Sequence, residues 1–106
     1  MRKVLIAMLL VGITAPVAFS ADMANGKKVY EKNCAMCHKS GIAGSPKLDD
    51  KNAWKDRLAQ GEAVLVEHSI KGFRGKTGYM PPKGGKASLS DADVTDAVHY
   101  MISEVK

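Results

Sequence analysis

The chain has little of several things that commonly set a protein's class. Cysteine appears only twice in 106 residues, at Cys34 and Cys37, so at most one disulfide can staple it. Aromatic residues make up 6%, and no basic run is interleaved with them, so the sequence offers no case for nucleic-acid binding. No internal repeat and no low-complexity segment is present. No stretch alternates apolar and polar residues well enough to read as a strand. The strongest apolar run, Val4 to Thr14, is too short to span a bilayer. What remains is ordinary globular composition, 45% apolar and 25% charged, in a length that suits one domain.

Residues 1–20 read as a secretory signal peptide. Arg2 and Lys3 make a basic start, the apolar run follows, and Ala18-Phe19-Ser20 gives a small-x-small ending. The alternative is a retained membrane anchor, but polar chain follows at once. The folded domain is therefore expected at 21–106, about 86 residues, with no stable membrane insertion after cleavage. Without Arg2 and Lys3 the 16 basic residues fall to 14 against 11 acidic, a mild net charge of +3. A domain this small buries only about 60% of its unfolded surface and often needs help from a bound group.

The helix signals are local. Asp22 through Asn33 suits a first helix with Asp22 as N-cap. "NAWKDRLAQ" suits a short helix opening at Asn52, and "GEAVLVEHSIKG" another that ends at Gly72. The last helix is the clearest. Ser90 with Asp93 three on approximates a capping box, and Val94, Val98, Met101 and Val105 fall on one stripe. Between Gly72 and Lys86 lies a loop about fifteen residues long; such loops inside small domains are usually functional. The fold class read from this pattern is all-α, with four or five short helices and long connections.

Cys34-Ala35-Met36-Cys37-His38 is the strongest signal. Cys-x-x-Cys-His is the attachment motif of c-type haem. On one helical turn Cys34 and Cys37 project from the same face, where their sulfurs can add to the two vinyl groups on one edge of a porphyrin. His38, beside Cys37, can then offer an imidazole nitrogen to iron. Three other readings exist. A thioredoxin-like pair needs a βαβ context, which is not visible. A zinc site needs four ligands, and no second Cys/His pair follows. A disulfide across so few residues closes a tiny loop and stabilises little. A covalent haem would also act as the core that 86 residues cannot build alone.

A second axial ligand must come from Met23, Met36, Met80, Met101, His68 or His99. Met36 lies inside the attachment turn, Met23 near the chain start, and Met101 on the apolar stripe. His68 and His99 sit on helices, where histidines are more often surface groups. Met80 lies in the long loop, with Pro81 and Pro82 stiffening the chain behind it. Gly75, Gly78, Gly84 and Gly85 permit tight turns around it. A thioether ligand raises the reduction potential. The alternative is a solvated loop whose methionine has no role.

The order of these parts resembles class I cytochrome c, most similarly the short bacterial cytochrome c5. The resemblance covers residues 22–106 and implies the cytochrome c fold around one haem c, linked through Cys34 and Cys37. It implies His38 and Met80 as iron ligands, with Tyr79 beside Met80 in "YMPP" among the haem-binding residues. It further implies that the Pro46 carbonyl accepts the second ring N–H of His38, that Trp54 meets a haem propionate, and that Gly26, Tyr30 and Tyr100 form the crossing of first and last helices. Some cytochromes c5 carry a second cysteine pair; this chain lacks it.

The function implied is a soluble periplasmic one-electron carrier. Its partners would be membrane-bound or periplasmic reductases and oxidases, steered to a rim of Lys27, Lys39, Lys83 and Lys86. The rival is a haem enzyme or a gas or redox sensor in which Met80 is absent from iron or easily displaced. A bis-histidine carrier using His68 or His99 is a third reading.

Overall fold

The computed structural model describes residues 21–106. The signal-peptide reading of 1–20 lies outside them. Five α-helices are present among the described residues: α1 (Met23–Val29), α2 (Ala35–His38), α3 (Lys51–Ala59), α4 (Glu62–Lys71) and α5 (Asp91–Val105). None is long and apolar enough to cross a membrane.

The expected first helix begins as read, with the Asp22 carboxylate accepting from Asn25 N–H. It does not continue as a plain α-helix. Tyr30–Cys34 is a π-helical turn, closed by Ala35 N–H donating to the carbonyl of Tyr30 five residues back. Such widened turns favour functional sites. This one changes the angular register between the α1 face that packs on α5 and the face that carries the cysteines. Helix α3 opens one residue before Asn52, because the side chain of Asp50 caps it by accepting from Ala53 N–H. Helix α4 closes before Gly72, as the sequence suggested; Gly72 has φ +85, a conformation a side chain disfavours.

Two strands were not anticipated. β1 (Phe73–Arg74) pairs antiparallel with β2 (Tyr79–Met80), Phe73 opposite Met80 and Arg74 opposite Tyr79. Two-residue strands carry no readable alternation, so only the closed hairpin reveals them.

Helix α5 organises the core. Val94, Ala97, Val98, Met101, Ile102 and Val105 are all buried on it. Val94, Val98 and Ile102 pack with Leu65 of α4. Met101 and Val105 pack with Tyr30 and Trp54. Helix α1 crosses α5 at Gly26, where an added β-carbon would collide with the Asp96 carbonyl and lie 3.0 Å from Tyr100 Cβ. The rings of Tyr30 and Tyr100 meet at 5.5 Å, so the crossing inferred for Gly26, Tyr30 and Tyr100 is formed. The Asn25 amide seals its end by donating to Asp93 at 3.0 Å and Asp96 at 2.9 Å. Asp93 therefore turns to Asn25. Ser90 supplies its half of the cap by accepting from Asp93 N–H at 3.0 Å.

Candidate haem site

Helix α2, the loop after it, and the β1–β2 hairpin enclose a cavity of about 260 Å³ against α4 and α5. Cys34, Cys37, His38, Pro46, Trp54, Tyr79 and Met80 all line it. Seven positions spread over 47 residues of sequence are thus gathered at one place. The rest of the lining is largely apolar, with Val29, Leu65, Leu89, Val98 and Ile102 among it. A larger hollow of about 720 Å³ lies beside Tyr30, Glu31, Lys39 and Glu104. It holds none of these seven residues and is lined mainly by charged groups, so its size does not make it the site.

His38 is oriented by its second nitrogen. Nδ1 lies 2.9 Å from the Pro46 carbonyl, which can only accept, so Nδ1 carries the proton and Nε2 is left with a lone pair. Burial pushes the histidine's pKa down, against the raising effect of that hydrogen bond. Burial, the larger influence, favours the neutral ring, and the hydrogen bond directs its remaining lone pair to Nε2. The chain after α2 is bent back to make this contact, with Gly41 at φ +79 and Leu48 N–H donating to the His38 carbonyl at 2.8 Å.

The two cysteines are not joined to each other. Burial, followed by the neighbouring Cys37, pushes the Cys34 thiol up to about 11. Among the described residues no group of three or more His, Cys, Asp or Glu side chains gathers to hold a metal.

Trp54 borders the cavity, and its indole N–H already has a partner in the chain. Its indole N–H donates to the Lys47 carbonyl at 2.9 Å, and the ring packs 5.9 Å from His38. Its donor is spent on holding the loop that carries Pro46, so it is a wall and a brace. Arg57, one turn along α3, also lines the cavity, a cation that sequence reasoning missed because a single helix arginine has no distinguishing pattern.

Met80 is half-buried on β2. Tyr79 beside it is exposed, with the Arg74 guanidinium 5.1 Å above its ring. The hairpin closes through Gly75 N–H donating to the Gly78 carbonyl at 2.8 Å. Its tip presses on the Ile42–Gly44 turn, where β-carbons at Gly44 and Gly78 would strike the carbonyls of Thr77 and Ala43. Glycine is needed at both positions for that backbone approach. Of the remaining candidates, Met101 also borders the cavity but is buried in the core cluster with Tyr30 and Trp54. Met36 is exposed. His99 Nδ1 lies 3.3 Å from Glu62. His68 reaches the cavity wall but stacks on Phe73 at 4.0 Å.

These residues fit a haem. An apolar cavity is bordered by two unpaired cysteines three residues apart, an imidazole with Nδ1 already bonded, and a thioether brought from a distant segment.

Comparisons agree with that chemistry. Residues 21–101 match the family described as cytochrome c oxidase, cbb3-type, subunit III. Cytochrome c-555 of Chlorobaculum tepidum is 53% identical over 84% of this chain and 82% of its own length. Cytochrome c5 of Ectopseudomonas mendocina is 35% identical over 69% of this chain and 82% of its own, in keeping with the likeness read from the sequence. A chain of the solved electron-transfer complex of nitrite reductase with cytochrome c superposes with a TM-score of 0.67 at 41% identity, covering 77% of this chain and 95% of that one. With the fold, the motif and these relatives in agreement, the chain belongs to the class I c-type cytochromes, haem c proteins of electron transfer.

Proposed function

We propose that the protein is an exported, periplasmic one-electron carrier whose haem is attached through Cys34 and Cys37 and ligated by His38 and Met80. The observation that carries this reading is the convergence of Cys34, Cys37, His38 and Met80 on one cavity, with His38 Nδ1 bonded to Pro46. When bound, the haem supplies a reversible one-electron iron couple. The chain supplies the rest. Pro46 holds the imidazole in the tautomer that leaves Nε2 for the metal. Trp54 and the apolar wall exclude water from the histidine side. The hairpin presents the Met80 thioether; held by His38 and Met80, the iron would have no site left for oxygen or peroxide.

Reaction partners would be redox proteins, reductases and oxidases of the membrane or periplasm; the solved neighbour lies in a complex with nitrite reductase. Lys27, Lys39 and Lys86 are exposed and suit a docking rim. Lys83 does not belong with them: its side chain is only 20% exposed and paired with Asp91.

The test joins mass and visible spectra of the periplasmic protein. Cleavage near Ser20, a mass increment of one haem, and the weak red-edge ferric band of a thioether ligand are the expected results. Met80→Ala should abolish that band, shift the iron to high spin and lower the potential. An unchanged spectrum in Met80→Ala would reject Met80 as ligand.

A further inference from the structure

The segment after Met80 is backbone of an unusual kind. Lys83, Gly84 and Gly85 are all left-handed, at φ +54, +64 and +86. Two are glycines, which take that conformation freely. Lys83 is not, and a bulky residue there is held against its own preference by its surroundings. Its side chain shows what holds it. Nζ donates to the Leu89 carbonyl at 2.6 Å and lies 3.0 Å from the Asp91 carboxylate. Leu89 lines the cavity, and Asp91 opens α5. A half-buried ammonium thus bridges the turn that follows Met80 to the first turn of the helix that organises the core. The turn has one other firm anchor: Pro82 rests on Gly72, where a β-carbon would lie 2.9 Å from Pro82 Cδ.

We propose that Lys83 is a positioning residue for the distal ligand: by tying the Pro81–Lys86 turn to the start of α5, it holds the Met80 thioether at the haem and sets how easily an outside ligand displaces it. This rests on the reading that Met80 ligates iron. Breaking the tie leaves the hairpin and the Pro82 contact intact but frees the C-terminal side of the strap. The population with Met80 withdrawn then rises, and small ligands bind more tightly in proportion.

The probe is imidazole, titrated into the ferric holoprotein, with the red-edge band and the thermal midpoint followed in parallel. Lys83→Met keeps the length of the side chain and removes the charge and the donors. It should raise imidazole affinity roughly tenfold, the scale of one charge-assisted hydrogen bond, and weaken the red-edge band. Lys83→Arg, which keeps a charged donor, should recover most of the loss. Asp91→Asn, which spares the Leu89 contact, should raise affinity about threefold, as expected for a partly exposed ion pair. In a Met80→Ala background, Lys83→Met should change nothing further.

A wild type showing the thioether band whose imidazole affinity is unmoved by Lys83→Met overturns the proposal alone. A wild type that binds imidazole as tightly as Met80→Ala overturns the Met80 reading and this proposal with it. If Lys83→Met does not fold, Asp91→Asn with unaltered affinity overturns the proposal.

Discussion

Where α1 meets α5, two backbones touch because Gly26 has no side chain, and the aromatic rings of Tyr30 and Tyr100 close over the contact. Between Gly72 and Ser90 the chain has no buried hydrophobic residue at all. It is held by a two-residue ladder, by carbonyls packed against Gly44 and Gly78, and by one ammonium group. The first region draws on apolar burial, which is cooperative and spread over many atoms. The second draws on point contacts that open individually, and regions of that kind supply the low-energy local openings of a protein. The two halves of the haem site are divided the same way. His38 belongs to the helical frame and Met80 to the strap. On the proposed ligation, the His38 side would be the firm one and the Met80 side the releasable one, because of how each segment is held.

That contrast can be broken outright by removing the shared group. Cys34→Ser with Cys37→Ser should prevent covalent attachment, and the chain should lose most of its native helical circular dichroism, since the cavity walls would face each other across an unfilled space. Full native helix in that variant would mean the frame stands without haem. Ile102→Ala tests the frame itself. Ile102 is 2% exposed, and its truncation should cost about 3 kcal/mol, read from the denaturant midpoint. Gly26→Ala should cost about 2 kcal/mol, because α1 and α5 must move apart. In both variants the red-edge band should persist while the protein is folded. Ser90→Ala sharpens the boundary between regions. Loss of the cap should destabilise by about 1 kcal/mol, and because Ser90 adjoins the Lys83 anchor at Leu89, imidazole affinity should rise slightly too. At the bottom of the scale, Glu67→Gln breaks the exposed Lys71 pair on α4 and should shift the thermal midpoint by less than about 0.5 kcal/mol equivalent, with no spectral effect.

Legibility followed the same division. The buried stripe of α5, the Ser90 and Asp22 caps and the stop at Gly72 were readable because each is decided by residues within one or two turns. The attachment motif was readable for the same reason. Met80 was reached by elimination, and it lines the cavity, as His68 and Met101 also do. The π-helical turn at Tyr30–Cys34 was not readable, since no propensity separates it from ordinary helix. Nor were the two-residue strands, which exist only as a pair. The contacts of Trp54 and Lys83 were not readable either, because a lone tryptophan or lysine does not state its partner. In each case the partner was a backbone carbonyl, that of Lys47 or of Leu89.

By itself, then, the sequence determined the chemistry: two thiols and an imidazole at a spacing that suits one porphyrin edge, a thioether on a stiffened loop, and helices whose periodicity dictates which face is buried. Spacing and periodicity are short-range properties, and a linear chain states them in full. Only the tertiary structure decided how those groups are held: which carbonyl orients His38, what braces Trp54, where glycine backbones press together, and that Lys83 faces inward. Carbonyls are present at every residue, so no sequence pattern marks which of them will be met. That choice is made when distant segments close around a common core.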